Sequence, residues 1–223
     1  MWIIGTLTIP ETYSPVILQR RARKLAKMTS RVHISVYEKK AGHKLSASKK
    51  ARQVLFRPWA LLIHEPIVLM ISLYMAILYA TMFLLLGAFP VVFQEKRGWS
   101  QGISGLPFIG MVVGLVSGAT HMMFDNKRYL KAIQKPGNDV PEARLFPALI
   151  GAALAPIGMF IFAWTNGSEI HWIVCIVGIA IYCHGSIVIQ LASLNYLIDS
   201  YTIFAASVLA INGLLRAVLA AAL

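Results

Sequence analysis

Long stretches of this sequence lack charge altogether. No Asp, Glu, Lys or Arg occurs from Pro66 to Gln94. A buried helix in a soluble domain rarely runs so far without a polar stripe, and about 20 apolar residues suffice to cross a bilayer's hydrocarbon core. A soluble globular fold is therefore excluded, and the run reads as a transmembrane helix. Cysteine is nearly absent as well. Cys175 and Cys183 lie in one apolar run, which excludes a disulfide framework, and two thiols in lipid do not make a metal site. Acidic residues number 9 against 21 basic ones, for a net charge of +12. In a soluble protein that excess would suggest nucleic acid, but most of it precedes the first full span, so no nucleic-acid partner is expected. Neither G-x-x-x-x-G-K-[ST] nor G-x-G-x-x-G occurs, so nothing points to ATP-driven work or a dinucleotide cofactor. The first residues lack the basic start and small-residue cleavage site of a signal peptide.

What is present divides the chain into three parts. Residues 1–9 (MWIIGTLTI) are apolar but too short to cross, and read as the end of a truncated transmembrane helix. Residues 10–65 form a basic loop, with Arg20, Arg21, Arg23, Lys24, Lys27 and Arg31 crowded together and Lys39 to Arg57 continuing the trend. It reads either as a lipid-binding patch or as a cytoplasmic loop obeying the positive-inside rule. Near its end Leu55, Phe56, Trp59, Leu62 and Ile63 recur at helical spacing, which predicts a helix lying in the interface. Residues 66–223 form a bundle of about five spans, at 67–93, 103–124, 145–164, 172–194 and 202–223. Gly110, Gly114 and Gly118 repeat every fourth residue on the second, a stripe that lets a neighbouring helix approach closely. The expected class is all-α integral membrane protein, multi-pass, in contact with membrane lipid.

Loop charge sets the orientation. The 28–65 side and the 125–144 loop are the most basic segments, so both face the cytoplasm. The turn Thr165–His171 has no Lys or Arg and faces outside, while Lys96 and Arg97 dissent weakly. Asn166-Gly167-Ser168 fits the glycosylation acceptor pattern on that outer side, but the turn is so tight to the membrane that modification of Asn166 is not expected.

Several stretches resemble one family. They are Pro10-Glu11-Thr12-Tyr13, Arg57-Pro58, Glu65-Pro66-Ile67-Val68-Leu69, Ala88-Phe89-Pro90, Gly98-Trp99-Ser100 and Gly105-Leu106-Pro107-Phe108-Ile109-Gly110. Pro141-Glu142-Ala143-Arg144-Leu145 follows, then Asn195-Tyr196-Leu197-Ile198-Asp199-Ser200-Tyr201, Ala205-Ala206-Ser207 and Arg216. In order and spacing they resemble the C-terminal half of a major facilitator superfamily transporter, of the twelve-helix drug:proton antiporter group known from fungal multidrug and polyamine exporters. The resemblance implies a partial C-terminal bundle, with the basic segment as the loop between two six-helix bundles and the spans as helices seven to eleven. Helices one to six are then almost wholly absent and helix twelve is missing, so the chain reads as truncated. The implied function is proton-coupled efflux of small amphipathic or cationic compounds, in the plasma membrane rather than the vacuole. The partners implied are substrate, protons and the missing N-terminal bundle. The alternative is a transport-inactive membrane fragment or a binding partner of another membrane protein.

In such a fold the substrate site lies at mid-depth between the bundles. That makes Ser72 and Tyr79, sharing a face with Met75 and Met82, candidates on the first span. Tyr182, Ser186 and Gln190, with Ser193, form a polar stripe on the fourth, for which interhelical hydrogen bonding is the alternative. On the fifth, Arg216 and Asn212 share a face and should look into the bundle. Arg216 is read as a cation that holds an anionic group or sets the pKa of a carboxylate, or else as a side chain snorkelling to the headgroups. Asp125 and Arg128 resemble a degenerate form of the superfamily's gating motif, and Asp199 lies at the same end. The alternative for these three is solvated loop charge. His184 points away from the polar stripe and is read as a packed histidine or a proton relay. No cluster has metal-ligand spacing and no nucleophile–base pair appears, so no enzyme activity is expected.

Overall fold

The computed structural model describes residues 14–29, 47–133 and 141–222, and the reading of residues 1–9 as a helix end lies outside them. The chain divides into two compact units, residues 1–53 and 54–223. In the first, helix α1 spans Ser14–Thr29. Pro15 fits its first turn, where a missing N–H costs nothing. Lys27 falls in its last turn, where the helix dipole favours a cation, and Arg20, Arg21, Arg23 and Lys24 are exposed. The segment expected as a basic loop therefore contains helix.

Helix α2 spans Ala47–His64. Phe56, Trp59 and Ile63 are exposed on it while Leu62 is buried. Helix α3 (Pro66–Phe89) follows and runs on through a π-helical segment, Pro90–Lys96. Pro90 has no N–H for the i−4 bond, so the register widens there. Gly98, at φ 66°, closes the segment in the left-handed region that glycine enters freely. A 3₁₀ turn (Ile103–Gly105) leads into α4 (Leu106–Ile133), and another (Pro141–Leu145) into α5 (Phe146–Thr165). Helix α6 spans Trp172–Ser200, and a last 3₁₀ turn (Thr202–Phe204) precedes α7 (Ala205–Ala222). Helix α4 runs on to Ile133, where the 125–144 loop was predicted, and two other boundaries differ from expectation. Asn195–Ser200, predicted as loop, is the last part of α6, and α7 starts at Ala205 rather than Thr202. Polar residues end a hydrophobic run without ending a helix, because a helix leaving the bilayer satisfies its own backbone in either solvent.

Five helical segments are long and apolar enough to cross a membrane: Pro66–Lys96, Ile103–Lys131, Glu142–Thr165, Trp172–Ser200 and Ala205–Ala222. Among the described residues there is no strand. Helix α6 is central, with α4 and α5 packed along it, and α7 packs on α3. Lipid supplies no hydrophobic force between helices, so close backbone approach must hold them. A Cβ added to Gly110 or Gly114 would strike Ile176, Ala180 or Cys183 of α6, and one on Gly118 would strike Ile187 and lie 2.9 Å from the His184 carbonyl oxygen. The glycine stripe is therefore the α4–α6 contact. The α5–α6 contact uses a second set, Gly151 and Gly158 against Gly185 and Gly178. The outward faces keep large apolar side chains exposed, among them Ile109, Val113 and Val116 on α4 and Leu149 and Phe160 on α5.

Candidate functional site

The polar side chains of α3 and α7 meet deep in the bundle. Ser72, Met75 and Asn212 are fully buried, and Asn212 Nδ2 donates to Ser72 Oγ at 3.2 Å and to Met75 Sδ at 3.4 Å. The Asn212 Oδ1 atom is buried and has no partner. One turn further on, the Arg216 guanidinium lies 5.4 Å from the Tyr79 ring centroid, and its Nε is also buried without a partner. Tyr79, Phe83, Arg216, Ala217 and Ala220 line an open cavity of about 360 Å³. From Ala205, Arg216 lies about 16 Å along a helix of about 27 Å, at ~1.5 Å per residue. A charge at such depth costs about 2.5–3.5 kcal/mol if it faces lipid, and here it leans on an aromatic face.

The α6 stripe sits differently. Tyr182 and Ser186 are buried within the bundle, and the Tyr182 hydroxyl donates to the Leu78 carbonyl oxygen of α3 at 2.9 Å. Ser186 Oγ is buried with no partner, Ser193 is buried and Gln190 is partly exposed. Tyr182 is therefore an interhelical hydrogen-bond donor in this bundle, while Tyr79 and Arg216 border open space.

At the end of the bundle where α4 meets α5, the charges pair in a pattern that sequence reasoning had only half identified. Arg128 pairs with Asp125 one turn away, at 2.8 Å, and its guanidinium covers the Phe146 ring at 4.2 Å. Asp199 pairs with neither. Its Oδ2 accepts from Arg144 Nε and, at 3.0 Å, from the Tyr129 hydroxyl, and the Arg144 guanidinium lies 3.9 Å over the Tyr129 ring. The cluster ties α4, the turn before α5 and α6 together. Arg144 was read only as loop charge. Its partner is 55 positions away, and no local pattern marks such a pair. Nearby, the Tyr201 hydroxyl donates to Glu65 Oε2 at 3.1 Å. Burial first, then that carboxylate, raises the Tyr201 pKa above its ordinary value. Arg57 of α2 lies 4.3 Å from the Phe204 ring centroid, so α2 and the start of α3 are each fastened to the α6–α7 junction.

The opposite end explains the dissenting cations. Arg97 Nη1 and Nη2 donate to the carbonyl oxygens of Ile170 and Thr165, each at 2.8 Å. Lys96 Nζ donates to Asn166 Oδ1 at 3.2 Å, and Asn166 Nδ2 donates to the Ala163 carbonyl oxygen at 2.7 Å. Arg97 thus satisfies the last carbonyl of α5 and one in the turn after it, and Lys96 holds the Asn166 side chain, local roles that loop-charge statistics do not register. The glycosylation candidate Asn166 has both side-chain atoms engaged. His184 is held at the α4–α6 seam beside Ser117 and His121. Among the described residues no three His, Cys, Asp or Glu side chains gather as metal ligands would.

These features define a membrane-spanning helical bundle with polar and charged side chains set between its helices. Comparison with known proteins gives the family: the Major Facilitator Superfamily matches residues 4–223, and the chain belongs to it. It is 50% identical over 99% of its length to the "Major facilitator superfamily multidrug transporter mdrA" of Aspergillus fumigatus, covering 36% of that protein. It is 49% identical over its whole length to the "MFS-type efflux pump MFS2" of Trichophyton rubrum, covering 37%. It is also 49% identical over 98% of its length to the "Major facilitator-type transporter sorT" of Penicillium rubens, covering 42%. The chain thus spans about two-fifths of the length of the curated relatives it matches. No solved structure matches it. It is a multi-pass integral membrane protein of a transporter family whose similar members include efflux pumps.

Proposed function

We propose that this chain carries one wall of the substrate pathway of a proton-driven exporter of small amphipathic compounds, in the plasma membrane with its basic segments cytoplasmic. The observation that carries the reading is Arg216. It is a deep cation with an unpaired Nε, set beside Tyr79 at the edge of an open cavity, one turn from a fully buried asparagine. An unsatisfied charge at that depth is costly, and it is retained where it faces substrate or the remainder of a longer protein. A free guanidinium disfavours cationic substrates there, which narrows the expected class toward neutral or acid-bearing amphiphiles. The Asp199–Arg144–Tyr129 cluster, with Asp125–Arg128, serves as the cytoplasmic gate. These pairs lie within one bundle, with Asp125 and Arg128 on a single helix, so rocking that bundle against the other around a shared site moves the gate as a unit with its pairs intact.

The test uses a longer protein made by placing this segment in a full-length relative, with efflux of a neutral amphipathic dye such as Nile red as the readout. Arg216→Ala should reduce energy-dependent efflux at least tenfold at unchanged membrane abundance, and Arg216→Lys should restore it in part. Normal efflux by the Ala variant would make Arg216 an interfacial anchor. A second reading is a transport-inactive membrane segment, because alternating access rocks one bundle against another and the described residues supply five candidate spans. Expressed alone, the chain should then leave dye accumulation unchanged.

A further inference from the structure

We propose that His121, His184 and Ser117 form a site that binds one proton, taken up at His121 Nε2, across the seam between α4 and α6. We assign the hydrogens in one direction, starting with the Ser117 hydrogen on the Gly114 carbonyl oxygen. Ser117 Oγ donates to the Gly114 carbonyl oxygen at 2.9 Å, so its oxygen is left to accept. It lies 2.9 Å from His184 Nδ1, which therefore carries the hydrogen. In a neutral imidazole one nitrogen donates and the other accepts, so His184 Nε2 is an acceptor. Facing it at 3.2 Å is His121 Nδ1, which must then be the donor. The one ring lone pair left uncommitted is on His121 Nε2.

An added proton goes there. The resulting His121 imidazolium still donates through Nδ1, now as a charge-assisted bond to a neutral ring, which is shorter and stronger. The first proton therefore tightens the α4–α6 contact. A second would have to sit on His184 Nε2, directly opposite the His121 Nδ1 hydrogen. Two donors and two positive charges would then face each other with ring centroids 5.4 Å apart, and the pair would have to separate. Interacting groups of this kind titrate as a unit, and this unit holds one proton.

The backbone fixes the spacing. Ser117 and His121 are four residues apart, on one face of α4, and His184 reaches between them because Gly118 lets the His184 backbone come close. A Cβ there would lie 2.9 Å from the His184 carbonyl oxygen. Other ionisable groups near the seam are few. On α4, Asp125 follows one turn later and is neutralised by Arg128, and Lys127 rests on the Phe124 ring. On α6, Cys183 is buried beside Gly114. Helix α5 contributes no titratable side chain. An open cavity of about 320 Å³ borders Ser117, Leu154 and His184, and His121, outside its lining, is partly exposed. Any use of this proton in coupling rests on the proton-driven reading above, whereas the site itself can be observed without transport.

The experiment is nitrogen NMR of ¹⁵N-histidine-labelled chain in lipid nanodiscs, from about pH 8 to 5, the range over which histidine titrates. His121→Gln and His184→Gln spectra assign the two rings. At high pH both should be Nδ1–H tautomers. As pH falls, His121 should take on imidazolium shifts while His184 keeps its acceptor-type Nε2 signal and stays at least tenfold less protonated. Ser117→Ala should abolish the fixed tautomer of His184. If either glutamine variant fails to fold, the contact between the two rings identifies them in the unsubstituted chain. An Nε2–H tautomer at His184, or two rings charging independently, overturns the proposal. Loss of efflux in the longer protein would not, because no step of this measurement involves transport.

Discussion

Gly158→Ala should separate α5 and α6 where their backbones approach closely. A Cβ at position 158 would fall on the Tyr182 backbone nitrogen, 2.7 Å from the Gly178 carbonyl oxygen and 2.8 Å from Tyr182 Cα. All three are backbone atoms of α6, so no rotamer change relieves the overlap. Carbon atoms pack at about 3.5–4 Å, so α5 and α6 must part by roughly 1 Å at the crossing. A gap of that size forfeits about a quarter to a half of each contact's attraction, and between membrane helices that attraction is the main cohesive force. Overpacking of a fitted interior costs about 1–3 kcal/mol. Alanine's better helix propensity returns less than about 1 kcal/mol. The net expectation is a loss of about 1–2 kcal/mol, roughly a 5- to 30-fold fall in the folded-to-unfolded ratio. Gly87→Ala is the control, because a Cβ there meets nothing within 4 Å and only the propensity gain remains. Reversible unfolding of the purified chain in nanodiscs, followed by intrinsic fluorescence, measures both. If Gly158→Ala unfolds at the same denaturant concentration as Gly87→Ala, close backbone approach is not what joins α5 to α6.

Three further outcomes follow from the same geometry. Asp199→Asn and Arg144→Gln should each destabilise the chain, and their double-mutant cycle should give a coupling of about 1 kcal/mol, a charged hydrogen bond discounted for partial exposure. Zero coupling would mean the pair is incidental to the cluster. Because burial and the Glu65 carboxylate favour the neutral Tyr201 phenol, its contribution to stability is full below the ordinary tyrosine value of about 10 and is lost as pH rises through the higher folded value. Glu65→Gln should move the Tyr201 ionisation, read as the ultraviolet difference from Tyr201→Phe, toward lower pH, and an unmoved midpoint would deny the carboxylate any part. Finally, cysteines at Lys127 and Gly167, in a background without Cys175 and Cys183, should react oppositely with an impermeant thiol reagent in intact cells, with Gly167 labelled from outside. Equal labelling of both from outside would overturn the orientation.

How far the sequence could be read depended on how local each constraint was. The spans were legible because the bilayer sets a length that every uncharged run must meet, and the period of four at Gly110, Gly114 and Gly118 marked a contact within one helix. The α5–α6 contact left a fainter mark that was missed. Gly151 and Gly158 are seven apart, as are Gly178 and Gly185, and seven residues make two helical turns, so each pair shares a face. Two consecutive spans with matched glycine pairs are a packing signal in their own right. Asn212 and Arg216 could be assigned an inward face because polar groups in lipid have few places to go, but that Asn212 would donate to Ser72 depended on the pairing of α3 with α7. The Asp199–Arg144 pair and the histidine chain were beyond reach for the same reason. They join helices across 55 and 63 positions, and in a bundle whose cohesion is close packing rather than patterned hydrophobicity, the register between helices is decided by glycines on both partners. Once Gly118 brings α4 onto α6, His184 has Ser117 and His121 within reach.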